Sequence, residues 1–155
     1  MQISIGSDHA GYRLKSAIAQ HLKAQGHEIL DQGTHGEAAV DYPDFAQAVA
    51  HDVACGNTPL GILVCSSGIG ISIAANKMPG IRAALCMNED MAEFSRRHNN
   101  ANIICLGQKY IPEEIAQKLV DIFLRTDFEG GRHQLRVKKI EPGTSKTSGA
   151  YTLCQ

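Results

Sequence analysis

Short apolar runs alternate along this chain with segments whose apolar positions recur every three or four residues. Residues 3–6 (ISIG), 61–64 (GILV), 82–85 (RAAL) and 103–106 (IICL) read as buried parallel strands, and 28–31 (EILD) as a more exposed one. Between them, Leu14, Ala17, Ile18 and Leu22 mark one face of a helix, and Phe45, Val49 and Val53 mark another. Further helices are predicted over 69–76, 89–98 and 113–124, the last beginning just after Pro112. Strands alternating with helices predict a single doubly wound, Rossmann-like α/β domain: three layers around a five-stranded parallel sheet, spanning residues 1–140. Within it EGGRHQLRVKKI reads as a terminal helix, and 141–155 as a polar tail expected to be mobile.

Composition narrows the function. The chain has 155 residues, enough for one domain with a substantial core. Its 15 Lys and Arg nearly balance 16 Asp and Glu, for a net charge of -1, which argues against a nucleic-acid or membrane-surface binder. Any positive site must be local. No apolar run approaches the roughly 20 residues of a membrane span, and the first residues lack the order of a signal peptide, so a cytoplasmic protein is expected. The five cysteines, at 55, 65, 86, 105 and 154, show neither CxxC nor zinc spacing. Each is therefore read as a core residue or a reactive thiol.

In an open parallel sheet, ligands bind beyond the carboxyl ends of the strands. Two polar segments fall there, SDHAG (7–11) and CSSGIG (65–70). Either alone is more readily a tight strand-to-helix turn; together they favour a site. The second loop is no P-loop, because Ile71 and not Lys follows Gly70, and Ile73 stands where a dinucleotide fingerprint needs its third Gly. What remains is a group of backbone N–H donors suited to a phosphate or an oxyanion, with Cys65 beside them. Such donors lower a thiol pKa from its usual ~8.5. The thiolate would be a nucleophile paired with His98 and Asp8, or a base for a proton on carbon. Arg132 and Arg136, four apart after Gly130 and Gly131, share a helix face and suit phosphate oxygens; a solvated face explains them equally well, and explains Lys138 and Lys139 better. His98 near a helix end has an alternative as a simple cap. His133, His21, His27, His35 and His51 read as surface residues.

The segments IGSDHAGYRLK, DYPDFA, CSSGIGISIAANKMPGIRAALC, SRRHNNANIICLG and FEGGRHQLRV, in this order, resemble the type B ribose-5-phosphate isomerases within the ribose, allose and galactose phosphate isomerase family. The resemblance covers about residues 3 to 140. It implies interconversion of ribose 5-phosphate and ribulose 5-phosphate, a step of the non-oxidative pentose phosphate pathway, through an enediolate, without metal or cofactor, in a homodimer whose site both subunits share. Cys65 then moves the proton between carbons 2 and 1, Ser67 serves the two sugar oxygens, and the backbone of Ser66, Gly68, Ile69 and Gly70 holds the enediolate. His98 opens the sugar ring; Asp8 and Asn99 contact the sugar, Tyr42 borders the site, and His9, Arg132 and Arg136 grip the phosphate. Ser66 replaces a common Gly, and Lys109 stands where many relatives carry an Arg that reaches the neighbouring subunit's phosphate site. A hexose 6-phosphate isomerase with the same machinery, and a non-catalytic phosphate or nucleotide binder, remain as alternatives. A carbon-acid base at position 65 speaks against the binder.

Overall fold

The computed structural model describes residues 1–141. Five strands, β1 (Gln2–Ser7), β2 (Glu28–Asp31), β3 (Leu60–Cys65), β4 (Ala83–Leu85) and β5 (Ile103–Gly107), form one sheet in the order β2-β1-β3-β5-β4. All four pairings are parallel. Six helices accompany them: α1 (Tyr12–Ala24), α2 (Tyr42–Ala54), α3 (Ile69–Ala75), α4 (Glu89–Arg97), α5 (Glu113–Arg125) and α6 (Arg132–Ile140). The predicted five-stranded parallel α/β fold is therefore found, with element boundaries that coincide with the expected ones or are displaced by one residue, except that α6 starts three residues later. The expected polar tail lies outside the described residues apart from Glu141, whose carboxylate accepts from the Arg82 guanidinium (2.6 Å) and the Gly80 N–H (3.1 Å).

Strands covered on both faces must be apolar on both, and β3 and β5 are buried at every position. One core layer joins Ile3, Ile5, Ile62, Val64 and Ile104 to Leu14, Ile18 and Leu22 of α1, Ala92 of α4, and Leu119 and Phe123 of α5. The other joins Leu63, Cys65, Ile103 and Cys105 to Val49 and Val53 of α2 and to Ile71 and Ala75 of α3. The helix caps follow local chemistry: the Asn88 side chain accepts from the Met91 N–H (2.9 Å) to start α4, and α5 follows Pro112.

The chain leaves β1 toward β2 on one side and β3 toward β4 on the other, so direction reverses between the neighbours β1 and β3. This switch point opens a crevice at their carboxyl ends, where Ser7 to Gly11 and Cys65 to Gly70 lie. The two turns meet there without space to spare: a Cβ on Gly11 would stand 2.5 Å from the Val64 carbonyl oxygen. The fully buried Lys15 adds a tie, its ammonium donating to Asp31 Oδ1 (2.6 Å) and to the Thr34 carbonyl (2.9 Å). Lys15 therefore holds the segment after β2 against α1, at the crevice wall.

Because the opposing group at Gly11 is backbone, it cannot move aside as a side chain would. Gly11→Ala is expected to destabilise the protein by about 1–3 kcal/mol, the usual cost of overpacking, measured by urea unfolding. An unchanged midpoint would mean that the two turns are not in firm contact.

Candidate active site

Cys65 is the last residue of β3 and is only 4% exposed. The chain turns immediately after it, with Gly68 in the left-handed region (φ 77°), so that the Gly68 N–H donates to Cys65 Sγ at 3.0 Å. A side chain at Gly68 would be strained in φ and would also meet Leu85 Cδ1 at 2.5 Å. The turn that aims an N–H at the sulfur thus depends on glycine. Ser67 Oγ accepts from the Ile69 N–H (3.2 Å), and the loop is tied to the end of β5 by Gln108 N–H to the Cys65 carbonyl and Lys109 N–H to the Ser66 carbonyl, both 3.0 Å. Burial pushes Cys86 up to about 11 and Cys105 well above its usual range, which keeps both protonated core residues.

Around this loop stand four of the other predicted residues. Asp8 is buried and accepts from the Gly11 N–H (2.9 Å), which fixes its carboxylate at the mouth of the crevice. His9 is exposed, with Nδ1 3.2 Å from both the N and O of Val40. Tyr42, at the start of α2, packs its ring against Gly70, where a Cβ would meet the ring at 2.7 Å. Lys109 is exposed just past β5. Asp8, His9, Tyr42, Lys109 and the 65–70 loop therefore share the carboxyl edge.

His98 caps the other end of α4, and this changes the picture. A helix that follows a parallel strand runs back to the amino edge of the sheet, so α4 carries His98 and Asn99 to the level where β5 begins. Arg132 and Arg136 join them through contacts of the 126–133 segment: the Glu129 N–H donates to the Arg97 carbonyl (3.0 Å), and the His133 ring stacks on the His98 ring with centroids 4.2 Å apart and planes at 6°. Register gives the separation. Ile103 at the start of β5 pairs with Gly61, four residues before Cys65, so the two groups lie about 13 Å apart along the strands, on opposite edges. Within one chain the Cys65 and His98 groups do not meet.

His133 is a correction to the sequence reading, which placed it on the surface. It is 5% exposed, although its neighbours Arg132, Gln134, Leu135 and Arg136 are exposed. Burial, followed by the nearby His98 and Arg132, pushes its pKa down, with Glu129 opposing and Arg136 adding to the effect. Glu129, which the sequence reading did not single out, pairs with the Arg97 guanidinium (3.1 Å), whose hydrogen bond holds its carboxyl below the usual range, and stands 3.9 Å from His98 Nε2. Ligand-type atoms of His98, Glu129 and His133 lie within 4.8 Å of one another. Nearly parallel imidazoles direct their lone pairs side by side instead of toward one point, and Glu129 is already engaged by a cation. The trio is arranged for stacking rather than for a metal.

The family model for ribose/galactose isomerases matches residues 3–140. The chain belongs to this ribose/galactose isomerase family. It is 45% identical over 139 residues to ribose-5-phosphate isomerase B of Escherichia coli K12, covering 90% of this chain and 93% of the relative. Among solved structures it is similar to ribose-5-phosphate isomerase B of Clostridium thermocellum, with a TM-score of 0.89 and 54% identity over 90% of this chain and 95% of the other. The type B enzyme of Trypanosoma brucei gives 0.86 and 44% over 90% and 95%. Family membership thus rests on the whole domain and not on the loop alone.

The depressed His133 pKa fixes a direction for stability. Unfolding frees this imidazole to bind a proton at its ordinary value near 6.5, so stability is complete above that pH and falls as pH drops through the lower folded value. His133→Phe removes this contribution. Denaturant unfolding at about pH 7.5 and about pH 5.5 is expected to show a smaller acid-side loss in His133→Phe than in the unaltered protein. Equal losses would show that His133 does not titrate differently on folding.

Proposed function

We propose that this protein is an aldose–ketose isomerase that interconverts ribose 5-phosphate and ribulose 5-phosphate through an enediolate, with residues 1–140 as the catalytic domain. The observation that carries the reading is Cys65, a thiol at the switch-point crevice with an N–H on its sulfur, in a chain 45% identical to a ribose-5-phosphate isomerase B over nine-tenths of its length. The Cys65 thiolate takes the proton from carbon 2 and returns it to carbon 1. Ser67 moves a proton between the two sugar oxygens, and the N–H groups of Ser66 to Gly70 stabilise the enediolate as its charge develops. None of these steps routes charge through a metal.

We infer further that the working unit is a cytoplasmic homodimer with two shared sites. The edge separation supports this, because ring opening by His98 at a site built on Cys65 requires His98 from a second copy. In a two-fold dimer each carboxyl edge faces the other copy's amino edge, giving two equivalent sites. Each then combines Cys65, Ser67, Asp8, His9, Tyr42 and Lys109 of one copy with His98, Asn99, Arg132 and Arg136 of the other. Exposed apolar side chains beside the crevice, Tyr42, Ile69 and Ile73, suit a covered face. The phosphate lies between His9 and the partner subunit's Arg132 and Arg136, whose exposed guanidinium forks match its oxygens. Among the described residues no helix is long and apolar enough to cross a membrane.

Turnover of ribose 5-phosphate, allose 6-phosphate and galactose 6-phosphate by the purified protein tests the substrate, and the pentose phosphate is expected to be preferred. Cys65→Ala should lower turnover by ~10²–10⁴-fold while leaving sugar-phosphate affinity nearly intact. Near-normal turnover would remove Cys65 from the chemistry. Arg132→Ala and Arg136→Ala should each weaken inorganic phosphate and substrate; unchanged affinity in both would make the pair a solvated surface. Activity is expected to survive exhaustive dialysis against EDTA. A loss restored by zinc or manganese would contradict the metal-free route.

A further inference from the structure

His98 is held on both flat faces. Phe94, one helical turn earlier, lies against one face with centroids 4.7 Å apart and planes at 25°; His133 of α6 lies against the other at 4.2 Å and 6°. The backbone here gives the ring little support. His98 is the cap residue at the end of α4, Asn99 is exposed, and Asn100 adopts a positive φ of 46°. What fixes the plane of this imidazole is therefore the sandwich, and its outer layer comes from a segment 35 positions away in the chain.

We propose that His133 is a positioning residue for His98: stacked opposite Phe94, it sets the plane in which His98 offers its nitrogens to the sugar held by the other copy. The proposal rests on the ring-opening role assigned to His98 above. Proton transfer to a ring oxygen needs the nitrogen lone pair or N–H in line with that oxygen, and misplacement by an ångström is costly in rate. A ring free to swing about its side-chain bonds would meet this condition only part of the time. Two stacked neighbours leave it one plane.

The chemistry of His133 suits this task. A neutral imidazole stacks on His98 whether His98 is protonated or not, whereas a charged one would repel it each time His98 took up a proton. Burial and the cations around His133 favour the neutral form. Arg132 reinforces the arrangement by directing its Nε–H toward His133 Nε2 at 3.4 Å. Nothing in this arrangement asks His133 to touch the substrate, and its low exposure contrasts with the open side chains of Arg132 and Arg136.

The test uses full-length His133→Ala and His133→Phe, with His98→Asn and Arg132→Ala as references, each measured for kcat and KM on ribose 5-phosphate and for inhibition by inorganic phosphate. His133→Ala is expected to lower kcat about tenfold, the size of a stacked-pair contribution, with KM and phosphate inhibition within about twofold of normal. His133→Phe, which keeps a flat ring in place, should recover kcat to within about threefold of normal. A normal kcat in His133→Ala overturns the proposal. So does weakened phosphate inhibition matching that of Arg132→Ala, which would make His133 a phosphate ligand, and so does a Phe variant no better than Ala. If His98→Asn itself keeps normal activity, the ring-opening assignment fails instead, and the two failures are distinguishable.

Discussion

The constraint on which this site depends is the direction of the helices. In a parallel sheet every strand points one way and every connecting helix must return, so a residue at a strand's carboxyl end and one at a following helix's carboxyl end fall on opposite edges. Cys65 is the first kind and His98 the second. No side-chain rotation closes a gap of about 13 Å along the strands. If both act on one sugar, the fold itself calls for a second copy.

Each edge is built by different physics. The carboxyl edge is a matter of backbone: turns pressed together with no room for a Cβ at Gly11 or Gly68, with the Gly68 N–H on the Cys65 sulfur and the Ile69 N–H on Ser67 Oγ. Such a site is stiff before substrate arrives, as stabilisation of a developing enediolate requires. The amino edge is a matter of side chains, with rings stacked at the end of α4 and guanidinium groups reaching outward from α6. In the shared site proposed above, the two halves would divide the labour accordingly: carbon chemistry on the backbone-built edge, ring opening and phosphate on the edge of a second copy.

Much of this was legible in the sequence, and the reason is local. Apolar runs marked β1, β3 and β5, where burial on both faces leaves few polar positions to obscure them; the half-buried β4 was found at 82–85, one residue longer than observed, and β2, exposed at both ends, was found at 28–31 as the more exposed strand. The 65–70 loop could be read because turn, glycine and thiol are contiguous. His133 could not be. One polar residue between exposed neighbours on a basic helix looks solvated, and its burial comes from a stack with a residue 35 positions earlier that leaves no periodic mark. Glu129 was missed for the same reason, because its partners Arg97 and His98 are brought to it only by the packing of α4 against the 126–133 segment. The opposite edges of Cys65 and His98, by contrast, followed from the predicted element order and needed only to be drawn.

The shared site is tested most directly by subunit complementation. A purified heterodimer of one Cys65→Ala copy and one His98→Asn copy contains, if the site spans two copies, one site with both groups intact and one with both missing. It should show roughly half the activity of the unaltered dimer, although each variant alone is inactive or nearly so. If the site lay within one chain, both halves of the heterodimer would be defective. A heterodimer no more active than the parent variants would contradict the account.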